Sequence, residues 1–133
     1  MKQTINPIRV LIIEDEKPAA EKLVRLFKEI QSEFETHFDI AAILTSVEQS
    51  INWFASNPEP DLGFMDIQLE DGISFEIFEN TPVKAPVIFT TAYDEYALRA
   101  FKVNSIDYLL KPIAVEELNK AIDKFRALHG GGG

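Results

Sequence analysis

A chain of 133 residues with 46% hydrophobic and 11% aromatic residues suits one domain around a single core and is too apolar to stay disordered. Its 22 acidic against 13 basic residues, a formal net charge of −9, repel a phosphate backbone and argue against direct nucleic-acid binding. The absence of cysteine excludes disulfides, thiolate chemistry and cysteine-ligated zinc and fits a reducing, cytoplasmic setting. The chain shows neither a cleavable apolar leader nor an apolar run of about 18 residues, so neither export nor a membrane span is expected.

Residues 1–7 read as a polar extension. Ile8-Arg9-Val10-Leu11-Ile12-Ile13 is short, apolar and β-branched and stops at Glu14-Asp15-Glu16, the pattern of a buried strand ending in charge. Pro18 suits a first helical turn, and Ala19, Leu23, Leu26, Phe27 and Ile30 recur at helical spacing. The polar stretch Gln31 to His37 leads back to a second strand over Phe38 to Leu44. Thr45 or Ser46 caps the next helix, with Glu48 or Gln49 closing a capping box. Val47, Ile51 and Phe54 line one face of that helix, and Asn57-Pro58-Glu59-Pro60 ends it.

Leu62-Gly63-Phe64-Met65 forms a third strand that delivers the chain into Asp66. Glu70-Asp71-Gly72 signals a turn, and Phe75, Ile77 and Phe78 mark a short amphipathic helix. Val87-Ile88-Phe89 is a fourth strand ending at Thr90-Thr91. A weakly apolar fourth helix carries Tyr96, Ala97, Ala100 and Phe101. Ile106 to Leu110 is the fifth strand, broken by Lys111-Pro112, and Val115, Leu118, Ile122 and Phe125 mark a strongly amphipathic last helix closing near Leu128. One domain is expected over residues 8–129, followed by a glycine run at 130–133 that reads as a flexible tail or cloning remnant. Five alternations of strand and helix predict a flavodoxin-like three-layer (βα)5 fold around a central parallel sheet.

Open α/β sheets bind ligands beyond the carboxyl ends of their strands, beside the point where strand order reverses. Glu14 and Asp15 follow strand one, Asp66 ends strand three, Thr91 ends strand four and Lys111 follows strand five. The end of strand two alone lacks such a group, which suits an outermost position and the order 2-1-3-4-5. Three converging carboxylates repel one another and call for a divalent cation. An all-oxygen set favours Mg2+, with Mn2+ as the other choice, and the backbone carbonyl of Gln68 offers a further ligand. Asp66 then serves as nucleophile toward phosphorus, with Lys111 and the metal offsetting charge and Thr91 donating its hydroxyl to a phosphoryl oxygen. Tyr108 is placed to change position when the Thr91 loop moves. Pro112 is a candidate for a cis peptide that would aim Lys111 into the cleft.

At Ile13-Glu14-Asp15-Glu16, Pro60 to Ile67, Phe89-Thr90-Thr91-Ala92 and Asp107 to Pro112 the chain resembles the receiver domain of bacterial two-component response regulators. The run from Thr91 to Pro112 is similar to receivers of the LytTR subclass. The resemblance covers about Ile8 to Leu128. It implies phosphoryl transfer from a sensor histidine kinase to Asp66, with Glu14 and Asp15 helping to bind magnesium, and autodephosphorylation afterwards. It also implies a switch on the surface of helix four, strand five and helix five, a phosphorylation-promoted homodimer, and a DNA-binding output domain beyond this chain. Two residues depart from the family pattern: Gly63 replaces a branched apolar residue, and Glu14 stands where aspartate is frequent. The competing readings are a magnesium-dependent small-molecule phosphohydrolase and a degenerate receiver acting only as a protein-binding module. Gln68, two residues after Asp66, weakens the first, since no acid stands there to protonate a leaving group.

Overall fold

The computed structural model describes residues 7–34, 37–93 and 105–128. Its elements, in chain order, are β1 (Ile8–Ile13), α1 (Lys17–Phe34), β2 (Phe38–Leu44), α2 (Val47–Ser56), β3 (Leu62–Asp66), β4 (Gln68–Leu69), β5 (Gly72–Ile73), α3 (Phe75–Asn80), β6 (Val87–Thr91), β7 (Ser105–Leu110) and α4 (Val115–Leu128). Five strands form one sheet in the order β2-β1-β3-β6-β7, with every pairing parallel. Counting only these long strands in chain order, this is 2-1-3-4-5. The two-residue strands β4 and β5 form a separate antiparallel ribbon. The predicted fourth helix falls in 94–104, outside the described residues.

Alternation along the strands builds the three layers. Val10 and Ile12 of β1, Leu62 and Phe64 of β3 and Ile88 of β6 pack with Leu23, Phe27 and Ile30 of α1 and Leu118, Ile122 and Phe125 of α4. Their neighbours Leu11, Ile13, Met65, Val87 and Phe89 turn to the opposite face, against Val47 and Phe54 of α2 and Phe75 and Ile77 of α3. Strands buried on both faces read as unbroken apolar runs, and residues 62–66 are all buried. Phe27 and Phe64 meet edge to face at 5.1 Å, and burying each ring contributes about 2 kcal/mol.

The helix ends follow local chemistry. Ser46 caps α2 by accepting the N–H of Gln49 at 3.0 Å, and Gln49 returns Oε1 to the N–H of Thr45 at 2.8 Å, a reciprocal cap. Helix α1 runs on to Phe34, past Ile30 where the apolar pattern stops. Gln31 accepts the N–H of Phe38 at 2.8 Å across the return to β2. At the same amino end of the sheet, where Arg9 is in register with Asp39, the guanidinium of Arg9 donates to the carbonyls of Pro58 at 3.1 Å and Glu59 at 3.0 Å and lies 5.6 Å from the Trp53 ring centroid. No described helix is long and apolar enough to cross a membrane.

Candidate functional site

Because the long strands are parallel, their carboxyl ends share one edge. Strand β1 hands the chain to Glu14 and Asp15, and the N–H of Glu14 donates to the Leu44 carbonyl at 2.8 Å, tying the acidic turn to the end of β2. Strand β3 ends in Asp66, in register with Thr90 of β6. Strand β6 ends in Thr91, whose carbonyl accepts the N–H of Lys111 at 2.8 Å. The Lys111–Pro112 peptide bond is cis.

This edge brings together carboxylate oxygens of Glu14, Asp15 and Asp66, all within 4.8 Å of one another. The ammonium of Lys111 lies 2.6 Å from Glu14 Oε1 and 3.0 Å from Asp66 Oδ2, with Glu16 Oε1 at 3.8 Å. Glu14 is 5% exposed, Asp66 6% and Thr91 0%, so these charges meet largely away from water and their interactions are strengthened accordingly. A cavity of about 300 Å³ opens over Asp66 and Thr91, lined also by Asp15, Gln68, Ala92 and Lys111 among others. A larger hollow of about 600 Å³ takes in Glu14, Glu16 and Lys111 but has mainly apolar walls, including Pro18, Leu23, Leu26, Pro112 and Ile113. The smaller one holds Asp66 together with Asp15 and Thr91.

Burial pushes the Glu14 carboxyl up to about 7, helped by the charge of Asp66 and opposed by hydrogen bonds from Lys111 and the N–H of Glu16. Burial also works against the charge of Lys111, but its hydrogen bonds to Glu14 and Asp66 outweigh this and hold the ammonium above the usual lysine value. Lys111 therefore stays charged at neutral pH while Glu14 exchanges its proton there. The second carboxylate oxygen of Asp66, Oδ1, accepts the N–H of Gln68 at 3.3 Å.

Two switch candidates meet at one residue. Thr91 Oγ1 accepts the N–H of Tyr93 at 3.2 Å, and the hydroxyl of half-buried Tyr108 donates to the Tyr93 carbonyl. Of the residues singled out in the sequence, Glu14, Asp15, Asp66, Gln68, Thr91 and Lys111 all lie at this edge, while Tyr108 reaches it through Tyr93. Sequence reasoning missed two contacts. Glu16, read only as charge ending a strand, joins the Lys111 ion pairs. Asp71, read as a turn, accepts the backbone N–H groups of Val47 at 2.6 Å and Glu48 at 3.0 Å, a partnership no local pattern announces.

A parallel sheet of this order with acidic groups, a threonine and a lysine at its strand ends defines a class of signalling domain. Residues 10–123 match the model of the response regulator receiver domain, and the chain belongs to that family. It is 34% identical over 125 residues to the sensory transduction protein LytT of Bacillus subtilis, covering 92% of this chain and 49% of that protein. It is 34% identical over 121 residues to the transcriptional regulatory protein BtsR of Shigella flexneri, covering 90% of this chain and 48% of that protein. The chain thus spans about half the length of these curated relatives. In fold it is similar to the response regulatory domain of mrkE from Klebsiella pneumoniae, with a TM-score of 0.79 at 23% identity over 92% of this chain and 98% of that one.

Proposed function

We propose that the chain is a phosphorylation-dependent signalling receiver in which Asp66 accepts a phosphoryl group from a phosphohistidine on a sensor kinase. The observation that carries this reading is the meeting of three carboxylates within 4.8 Å at the mouth of the sheet, with an ammonium 3.0 Å from Asp66.

The donor set of Glu14, Asp15 and Asp66 is oxygen alone, and with the carbonyl of Gln68 it suits a hard divalent cation, magnesium or manganese. Bound there, such an ion would supply positive charge against the oxygens of an incoming phosphoryl group. One carboxylate oxygen of Asp66 attacks phosphorus in line. The P–N bond to the donor imidazole breaks, its electron pair leaves with the nitrogen, and an acyl phosphate forms on Asp66. Lys111 turns its ammonium to a phosphoryl oxygen, and Thr91 donates its hydroxyl to another. That recruitment draws Thr91 Oγ1 from the N–H of Tyr93, and Tyr93 carries the change to Tyr108 through its carbonyl. Hydrolysis of the acyl phosphate resets the arrangement.

The names of relatives twice this length, one of them a transcriptional regulator, support a longer parent whose output domain binds DNA. Phosphorylation-promoted pairing of two receivers is the proposed route to that output. Intact-mass analysis after incubation with acetyl phosphate tests the reading. Wild type gains the mass of one phosphoryl group when magnesium is present and not when it is chelated, and Asp66→Asn gains none. An equal gain in Asp66→Asn removes Asp66 from the role.

A further inference from the structure

Asp71 is exposed, yet both of its carboxylate oxygens are engaged, and neither contact is with its own element. Oδ1 accepts the N–H of Val47 at 2.6 Å and Oδ2 that of Glu48 at 3.0 Å, the first two residues of α2. Ser46 takes the next amide, Gln49. The N-terminus of α2 is thus capped twice, once from its own chain and once from the tip of the ribbon that follows Asp66. These backbone bonds outweigh the cost of burial and hold the Asp71 carboxyl below its usual value.

The ribbon matters because of what stands at its other end. Gln68 opens β4 in register with Ile73 of β5, its N–H reaches Asp66 Oδ1 at 3.3 Å, and its backbone offers the candidate fourth oxygen. The N–H of Ser74 closes the ribbon base on the Ile67 carbonyl at 2.8 Å, and Leu69 and Ile73 pack into the core beside α2 and α3. On the other side, the N–H of Glu14 holds the Leu44 carbonyl at 2.8 Å, two residues before the Ser46 cap. A continuous belt therefore runs from Glu14 through the end of β2 and the start of α2, across the Asp71 carboxylate, and back along the ribbon to Gln68 and Asp66. Gly72 has φ +153°, and a Cβ there would lie 2.9 Å from Glu76 Oε1, so the backbone that presents Asp71 to α2 takes a shape suited to glycine.

We infer that Asp71 is a positioning residue for the metal and phosphoryl site: by capping α2 from the ribbon tip, it fixes the Gln68 backbone relative to Glu14 and Asp66. The inference rests on the reading that a divalent cation binds among these carboxylates. Outer contacts that orient ligands change metal affinity by about ten- to a hundredfold, and the indirect path through Gln68 places the effect at the lower end.

The test is calorimetric titration of magnesium into the metal-free protein, with the amide resonances of Asp66 and Gln68 followed in parallel. Asp71→Ala should weaken magnesium binding about tenfold and shift the Gln68 amide before any metal is added. Asp71→Asn, which keeps one acceptor oxygen and the side-chain size, should fall between Asp71→Ala and wild type and carries the test if the alanine variant fails to fold. Two controls isolate the cause. Ser46→Ala removes the local cap of α2 without freeing the ribbon, and Glu70→Gln removes a neighbouring charge without touching the cap. Both should bind magnesium within about twofold of wild type, since any field effect of one exposed charge is screened.

Wild-type affinity in both Asp71 variants overturns the inference and leaves the metal reading standing. A loss in Ser46→Ala or Glu70→Gln as large as in Asp71→Ala also overturns it, assigning the effect to helix stability or to charge. Failure of wild type to bind magnesium overturns the metal reading and the inference with it.

Discussion

Replacing Lys111 by methionine keeps the alkyl stem and removes the ammonium that stands 2.6 Å from Glu14 and 3.0 Å from Asp66. The Glu14 and Asp66 side chains are 5% and 9% exposed, so water replaces the lost partner poorly. Removing one member of a buried ion pair costs about 3–5 kcal/mol. With the Lys111 side chain 19% exposed, about 3 kcal/mol is expected at alkaline pH in the presence of a chelator. The cost should depend on pH. Glu14 has its proton affinity raised from the usual 4.5 to about 7, so across that window the folded state holds a proton the unfolded chain has released. The metal-free domain accordingly loses stability as pH rises from 4.5 through about 7, through this group. At about pH 5 the folded Glu14 is neutral and only the Asp66 contact of Lys111 remains charge to charge, so Lys111→Met should cost less. Urea unfolding of both proteins at about pH 5 and about pH 8, with chelator and then with excess magnesium, measures each leg. Magnesium should narrow the gap at the higher pH by supplying the missing positive charge. An equal loss at both pH values, or a gap that magnesium leaves untouched, refutes the coupling of Lys111 to these carboxylates.

A Cβ at Gly63 would meet Val87 Cγ2 at 3.7 Å and Met65 Cε at 3.9 Å, ordinary contact distances, so Gly63→Ala should stabilise the domain by about 0.5–1 kcal/mol in urea or thermal unfolding. Gly72→Ala should destabilise it by about 1–3 kcal/mol in the same assay, because its φ of +153° is a backbone state that side chains disfavour. Tyr108→Phe removes the hydroxyl donated to the Tyr93 carbonyl. It should cost about 0.5–1 kcal/mol and leave the yield of phosphorylated protein with acetyl phosphate unchanged, separating the switch from the chemistry.

The sheet was legible because its strands are buried on both faces. Runs such as Val10 to Ile13, all 0% exposed, have one structural meaning at that length, and the charged or hydroxylic residue after each run falls where parallel strands end together. Asp66, Glu14, Asp15, Thr91 and Lys111 could thus be placed at one edge before any coordinate. The distribution of bonds within that edge was not legible. The contacts of the Lys111 ammonium with Glu14 and Asp66 are set by side-chain reach between residues 45 or more positions apart, which no local pattern shows. The ribbon of β4 and β5 escaped because two-residue strands carry no periodicity, and Asp71 escaped because its partners are backbone amides more than 20 residues away. Helix α1 runs on to Phe34, past Ile30 where its apolar spacing stops, and that spacing alone does not mark a helix end.

The central claim is that Asp66 carries the phosphoryl group as an acyl phosphate. Borohydride reduces such a mixed anhydride to an alcohol, with phosphate as the leaving group, so the modified aspartate is read by peptide mapping as homoserine. After treatment with acetyl phosphate and magnesium, the account predicts homoserine at position 66 and at no other acidic residue, with none formed when magnesium is chelated. Conversion at Glu14, Asp15 or any other carboxylate in place of Asp66, or at position 66 equally with and without magnesium, would contradict it.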